Sequence, residues 1–348
     1  MKVIDRTAPR RALRVRIDPS PAYDFVACLY LLGHRESSLD FDVPRRWVER
    51  ARAALGAGLR GDLALLLPWR GRTLGLVGVL DGHTGATVEG FIGRVTAAPP
   101  EVLVELMLAE SLADRRGLPR LRAALGRTGE PVEAYLAATD PDLDRTALRR
   151  LVELPPAEVK ARLVRLLREG YARVYADREA EVGPQLRRSA AALGRRAVSD
   201  TAAEVVEHAT GGFVLGAEAP VRDVVLAPTY FFRPYNLITA YDGVRVFIYP
   251  IETPPTDAAP PPELVRLYKA LGDETRLRIL RLLAGREMYL QELATALGVS
   301  HVTALHHMAV LRAAHLVQVV EREHLKYYRL RPARAREGAA RWLDYVRS

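Results

Sequence analysis

The chain has 348 residues, of which 49% are hydrophobic and 27% charged. That composition excludes a disordered chain or a coiled coil, and at about one domain per 100 to 200 residues the length predicts two or three domains with sizeable cores. The formal net charge of +9 favours polyanionic partners, and the excess is concentrated at the end, where residues 263–348 hold 15 Lys and Arg against 9 Asp and Glu.

The alternation Leu13-Arg14-Val15-Arg16-Ile17 predicts a short strand, after which Asp18 to Pro21 supply the cap and first turn of a helix. That helix carries the single cysteine, Cys28, inside the apolar run 25–32. A lone thiol excludes an intrachain disulfide and fits a reducing compartment. The run is far shorter than the roughly 18 to 20 residues of a membrane span, and the first residues lack a signal-peptide pattern, so a cytoplasmic chain with no membrane partner is expected. Further helices are predicted from Pro44 through Trp47 to Ala57 and from Pro99-Pro100-Glu101 onward. Residues 155–210 read as almost continuously helical, divided at Pro184 and Gly194 and stopped by Gly211-Gly212. Residues 221–226 and 237–241 read as strands, and Asp242-Gly243 suits a tight hairpin into 244–249. The expected N-terminal domain, 1–250, is thus mainly helical with a small antiparallel sheet, within an α+β chain.

Prolines crowd residues 250–262, which predicts a semi-rigid linker at 251–262. Beyond it, Leu264, Leu267, Tyr268 and Leu271 fall at helical spacing, and Gly272-Asp273 ends that helix and caps another. Leu293 and Leu297 face inward on a third helix, Gly298 allows a turn, and Ser300 caps a fourth, which makes a helix-turn-helix. On the fourth helix Ala304, His307, Met308 and Leu311 share one side, leaving His301, Val302, Leu305, His306 and Ala309 outward as the candidate major-groove surface. Two alternating strands, 317–322 and 325–330, turn at Glu323-His324 as a wing bearing Arg322, Lys326 and Arg329. Residues 263–348 therefore read as a winged helix-turn-helix domain.

The segment from Leu267 to Leu283, together with Glu292-Leu293, Gly298-Val299-Ser300, Thr303, His307, Leu311-Arg312, Leu316-Val317 and 327–330, resembles the ArsR family of winged-helix repressors. The resemblance implies a homodimer that binds an imperfectly palindromic operator in double-stranded DNA and represses until an effector or modification releases it. The family includes members with a long extra N-terminal domain, and this architecture looks similar. The implied DNA-binding residues are Ser300, His301, Val302, Thr303, Leu305, His306, Arg312, Arg322 and Lys326, with Arg276 and Arg278 as further phosphate contacts. The implied dimer seam is Leu264, Leu267, Tyr268, Leu271, Trp342, Leu343, Tyr345 and Val346, whose alternative is packing against the chain's own N-terminal domain. Leu305 stands where a serine is common and His315 where glycine usually ends the helix. The metal-sensing members carry cysteines in the helix before the turn, but here 288–293 has none, and the last helix offers only Glu337 and Asp344 as acids. A metal site is therefore not expected.

Neighbouring His306 and His307 point about 100° apart on a helix, so His307 reads as packing and His306 as a DNA contact. No phosphate loop, metal-ligand pair or nucleophile elbow occurs with the required spacing, so neither catalytic residues nor a cofactor are expected and the chain does not read as an enzyme. Asp81-Gly82-His83-Thr84-Gly85 reads as a polar loop, and Thr229 to Asn236, a candidate ligand wall, reads as core packing. The N-terminal domain leaves room for an unidentified small-molecule effector. The alternative makes it an enzyme or a protein-interaction domain, with the winged domain used for targeting or autoregulation.

Overall fold

Two four-stranded sheets organise the chain, and the computed structural model describes residues 13–33, 40–68, 72–215, 221–252, 260–322 and 325–347. In chain order the strands are β1 (Arg14–Ile17), β2 (Phe213–Leu215), β3 (Asp223–Thr229), β4 (Leu237–Tyr241), β5 (Val244–Pro250), β6 (Met288–Tyr289), β7 (Val317–Arg322) and β8 (Leu325–Leu330). The first sheet runs β1-β3-β5-β4 and the second β2-β7-β8-β6. The fold is mainly helical α+β, as the sequence predicts. The first sheet is mixed, however, not antiparallel: β1 pairs parallel with β3 and β3 with β5, leaving the β4–β5 hairpin as its antiparallel pair. Local patterning identifies the hairpin and the strand β1, but not that β1 joins this sheet from about 200 residues away. Asp242 and Gly243 turn that hairpin with φ of 35° and 76°, the left-handed pair that a two-residue turn demands.

The first sheet is buried on both faces. Val225, Ala227, Val246 and Ile248 enter a core built with the helices Pro21–Gly33, Arg45–Leu66, Val88–Ala97, Pro100–Leu108 and Pro156–Gly170. Val224, Leu226, Phe247 and Tyr249, on the other face, share a second core with Leu267, Ile279, Leu293, Met308 and Leu311 beyond the proline-rich stretch. Strand residues alternate faces, so one sheet serves two cores. Most of the expected linker, residues 253–259, lies outside the described residues.

Helix Pro21–Gly33 is buried from Ala22 to Leu32, Cys28 included, because it runs through the middle of the first core. Asp24 on it accepts hydrogen bonds from Thr229 Oγ1 (2.6 Å), the Tyr230 and Phe231 amides (2.7 and 3.2 Å) and Tyr175 Oη (2.9 Å). Four donors offset the cost of burying a carboxyl group, although burial still raises its pKa. The aromatics after β3 fill the core: Phe231 and Phe232 are buried, Trp47 lies 4.8 Å from Phe231, and the Arg233 guanidinium sits 4.0 Å from the Tyr230 ring. Pro184 and Gly194 do not divide the long helical region. Helix Ala176–Arg196 passes through both, held by Val182, Leu186, Ala190 and Leu193, and the interruption is a π-helical turn at Tyr171–Tyr175. Asp81 to Gly85 forms an exposed turn in which Asp81 Oδ1 accepts from the Gly82 amide at 3.1 Å.

Candidate nucleic-acid interface

Five helices build the C-terminal domain among the described residues: Pro262–Leu271, Glu274–Gly285, Leu290–Leu297, His301–Ala313 and Pro332–Arg347. Their ends are set by short-range chemistry. Asp273 Oδ1 accepts from the Arg276 amide (2.9 Å), Gly298 takes φ 67°, and Ser300 Oγ accepts from the Thr303 amide (3.1 Å). Ala304, Met308 and Leu311 seal the inner side of the fourth helix, while Val302 and Leu305 remain 55% and 44% exposed and Thr303 is exposed beside them. His301 and His306 are partly exposed, and His301 Nε2 lies 3.9 Å from Asp142 Oδ2 of the N-terminal domain. His307 is largely covered, 3.8 Å from Asp273. Burial lowers the pKa of both His306 and His307, so both rings are neutral near pH 7.

The wing places its cations on two different faces. Arg322 is exposed and holds Glu287 (2.8 and 3.4 Å); Arg329, on the same face, donates to Gln318 Oε1 (3.0 Å) and reaches Glu287 at 3.7 Å. Lys326 stands on the opposite face of β8, with Tyr328, directly across from Glu321. Glu321 is bound to Arg245 of β5 at 3.1 and 3.2 Å. Lys326 thus shares a strand face with the glutamate that ties the wing to the N-terminal domain but remains exposed, and Arg312 is half-buried. Ser300, Val302, Thr303, Leu305 and Arg322 are exposed as well, and His306 is half-buried. Arg276 is also spent internally, donating to the carbonyls of Ala270 (2.8 Å) and Lys269 (2.7 Å).

The first and last helices of the domain, Pro262–Leu271 and Pro332–Arg347, lie together, with Glu263 holding Arg334 (2.8 Å) and Arg341 (2.5 Å). Leu264 and Leu267 are buried within the chain, and a Cβ on Gly338 would stand only 1.8 Å from Leu267 Cδ2. Tyr268, Trp342, Leu343, Tyr345 and Val346 are exposed and Leu271 is half-buried. Among the described residues no helix is long and apolar enough to cross a membrane, and no three His, Cys, Asp or Glu side chains form a group able to hold a metal ion.

Sequence reasoning missed the strand that completes the wing's sheet. β2, just after Gly211-Gly212, pairs parallel with β7, setting Phe213 against Val319. His315, in the place of the family's usual glycine, takes φ 57° itself, and its Nδ1 meets the Gly211 carbonyl at 3.2 Å. A Cβ on Gly211 would lie 2.2 Å from that ring, so Gly211 makes room for the histidine as well as ending a helix. The mismatch at His315 was the available signal.

Residues 273–319 match the family model described as bacterial regulatory protein, arsR family. Two solved structures from Mycobacterium bovis align with this chain. One is the crystal structure of a possible transcriptional regulatory protein, fragment 1–100, which is 32% identical over 24% of this chain and 91% of its own, with a TM-score of 0.21. The other is the solution structure of a homodimeric winged helix-turn-helix DNA-binding domain from a possible ArsR-family regulator, 31% identical over 27% of this chain and 90% of its own, with a TM-score of 0.22. No curated protein matches the chain. Through its C-terminal winged helix-turn-helix domain, this chain belongs to the ArsR family of bacterial regulatory proteins.

Proposed function

We propose that the chain is a sequence-specific transcription repressor that acts as a homodimer and does not sense a soft metal. The observation that carries the DNA-binding reading is the open outer side of helix His301–Ala313, where Val302, Thr303 and Leu305 face solvent while the inner side is sealed. A helix displayed this way enters a major groove. Its apolar tips suit thymine methyl groups, and His301 and His306 supply polar contacts to base edges.

The exposed row Tyr268, Trp342, Leu343, Tyr345 and Val346 supports the dimer, because a second copy related by a two-fold axis would bury it. The absence of cysteine from 288–293 supports the non-metal reading. Residues 263–348 read DNA in this scheme, residues 1–250 brace the dimer or respond to an effector, and 251–262 connect them. Selection of genomic fragments by the purified chain at moderate salt tests the proposal. The expected result is an enriched motif of two inverted half-sites about one helical turn, roughly 34 Å, apart; recovery of no motif overturns it.

A further inference from the structure

The wing's Arg322 already holds an anion. Glu287 directly precedes β6, where buried Met288 pairs with Tyr328 of β8, so the ladder keeps Glu287 on the sheet face that carries Arg322 and Arg329. Arg322 Nη1 and Nη2 donate to Glu287 Oε2 and Oε1 at 2.8 and 3.4 Å, the two-pronged grip that a guanidinium also makes on a phosphate. Arg329 Nη1 stands further off, 3.7 Å from Oε1, while its Nε donates to Gln318 Oε1 at 3.0 Å. Gln318 is buried and donates in turn to Glu207 Oε1, at 2.6 Å, on helix Ala202–Thr210 of the N-terminal domain. Arg329 is thus held back by a fixed amide, and the carboxylate of Glu287 goes chiefly to Arg322. The Arg322 side chain is 53% exposed and that of Glu287 25%, so a cation open to a duplex has its counter-charge fixed behind it.

We propose that Glu287 is an internal competitor for the DNA backbone: it satisfies Arg322 in the free chain, a duplex phosphate displaces it, and this carboxylate thereby sets the wing's affinity and salt dependence. The inference rests on the DNA-binding reading. Glu287 touches no DNA in this scheme and acts through Arg322. The test is fluorescence anisotropy of the full chain on a random-sequence duplex over a series of salt concentrations, because a phosphate contact needs no particular sequence. Glu287→Gln keeps the side chain's shape and removes its charge. It is expected to tighten binding about twofold to fivefold at low salt, the worth of an exposed ion pair, and to steepen the salt slope by up to about 0.9. The gain should fall by at least about half when Glu287→Gln is combined with Arg322→Ala, the coupling that a double-mutant cycle reads. Glu337→Gln, which removes an exposed carboxylate of the last helix, controls for net charge. Weaker binding in Glu287→Gln overturns the proposal, since Glu287 would then orient Arg322 for DNA. So does an unchanged affinity, a gain that persists in full with Arg322→Ala, or an equal gain in Glu337→Gln. No duplex binding by the unaltered chain at any salt removes the DNA-binding reading itself, and this proposal with it.

Discussion

Phe213→Ala probes the joint between the two parts of the chain. The ring is 1% exposed, lies 4.9 Å from Phe247 at an interplanar angle of 60°, and sits opposite Val319 in the β2–β7 register. Truncation removes the ring's burial and leaves a cavity that both sheets line, a change that costs about 3 to 5 kcal/mol, which includes roughly 1 kcal/mol for the aromatic pair. Against a domain stability of about 5 to 15 kcal/mol this is a large fraction. Native-state hydrogen exchange reads β3 and β5 separately from β7 and β8. Protection is expected to fall in both groups by the same free energy, because one core holds them. If protection falls in β3 and β5 while β7, β8 and helix His301–Ala313 keep theirs, the shared-core argument is wrong.

Other perturbations test the site more directly. Arg322→Ala should weaken binding to all DNA sequences and reduce the salt slope by about 0.9, one phosphate contact, whereas His301→Ala and His306→Ala should alter base preference in a selected-site assay; unchanged preference in both removes them from the reading surface. His315 is held to a pKa of about 4 by burial, below the ordinary 6.5, so the unfolded chain takes the proton first as pH falls. That histidine's contribution is intact above pH 6.5 and declines by roughly 3 kcal/mol toward pH 4. His315→Asn, which tolerates the left-handed backbone and does not titrate, should show a shallower loss of urea stability over that window, and an identical slope would refute the assignment. Trp342→Asp places a charge in the exposed apolar row and should weaken self-association at least about thirtyfold by sedimentation; an unchanged dimer would move the interface elsewhere.

The helix-turn-helix was legible because its signals are local. Asp273, Gly298 and Ser300 each act within three residues of themselves, and the wing strands alternate on a two-residue period that needs no partner to be seen. β2 was not legible, since three residues after a Gly-Gly stop carry no sign that their ladder partner lies a hundred positions later. Leu264 and Leu267 show a second limit: helical spacing says that a side chain is buried without saying by what, and here Gly338 admits Leu267 into the chain's own core. Lys326 shows a third: alternation fixes its face on β8, but that this face also holds Glu321, tied to Arg245, depends on how the N-terminal domain docks.

The docking also constrains how regulation can work. Residues 263–348 alone would leave the β7 edge that pairs with β2 open to solvent, along with the apolar side chains that meet Phe213 and Phe247, and an open edge of this kind invites association with other chains. The proline-rich stretch therefore does not mark two parts that swing freely; β2 and the Arg245–Glu321 pair tie them together independently of it. Breaking one partner of a buried pair costs about 3 to 5 kcal/mol, more than the roughly 1 to 3 kcal/mol that allosteric coupling usually supplies. An effector of ordinary coupling strength would accordingly shift the wing and the first sheet together, as one body relative to a second copy, instead of separating them. The geometry between two recognition helices, which sets the half-site spacing a dimer accepts, is then the quantity that such an effector would change.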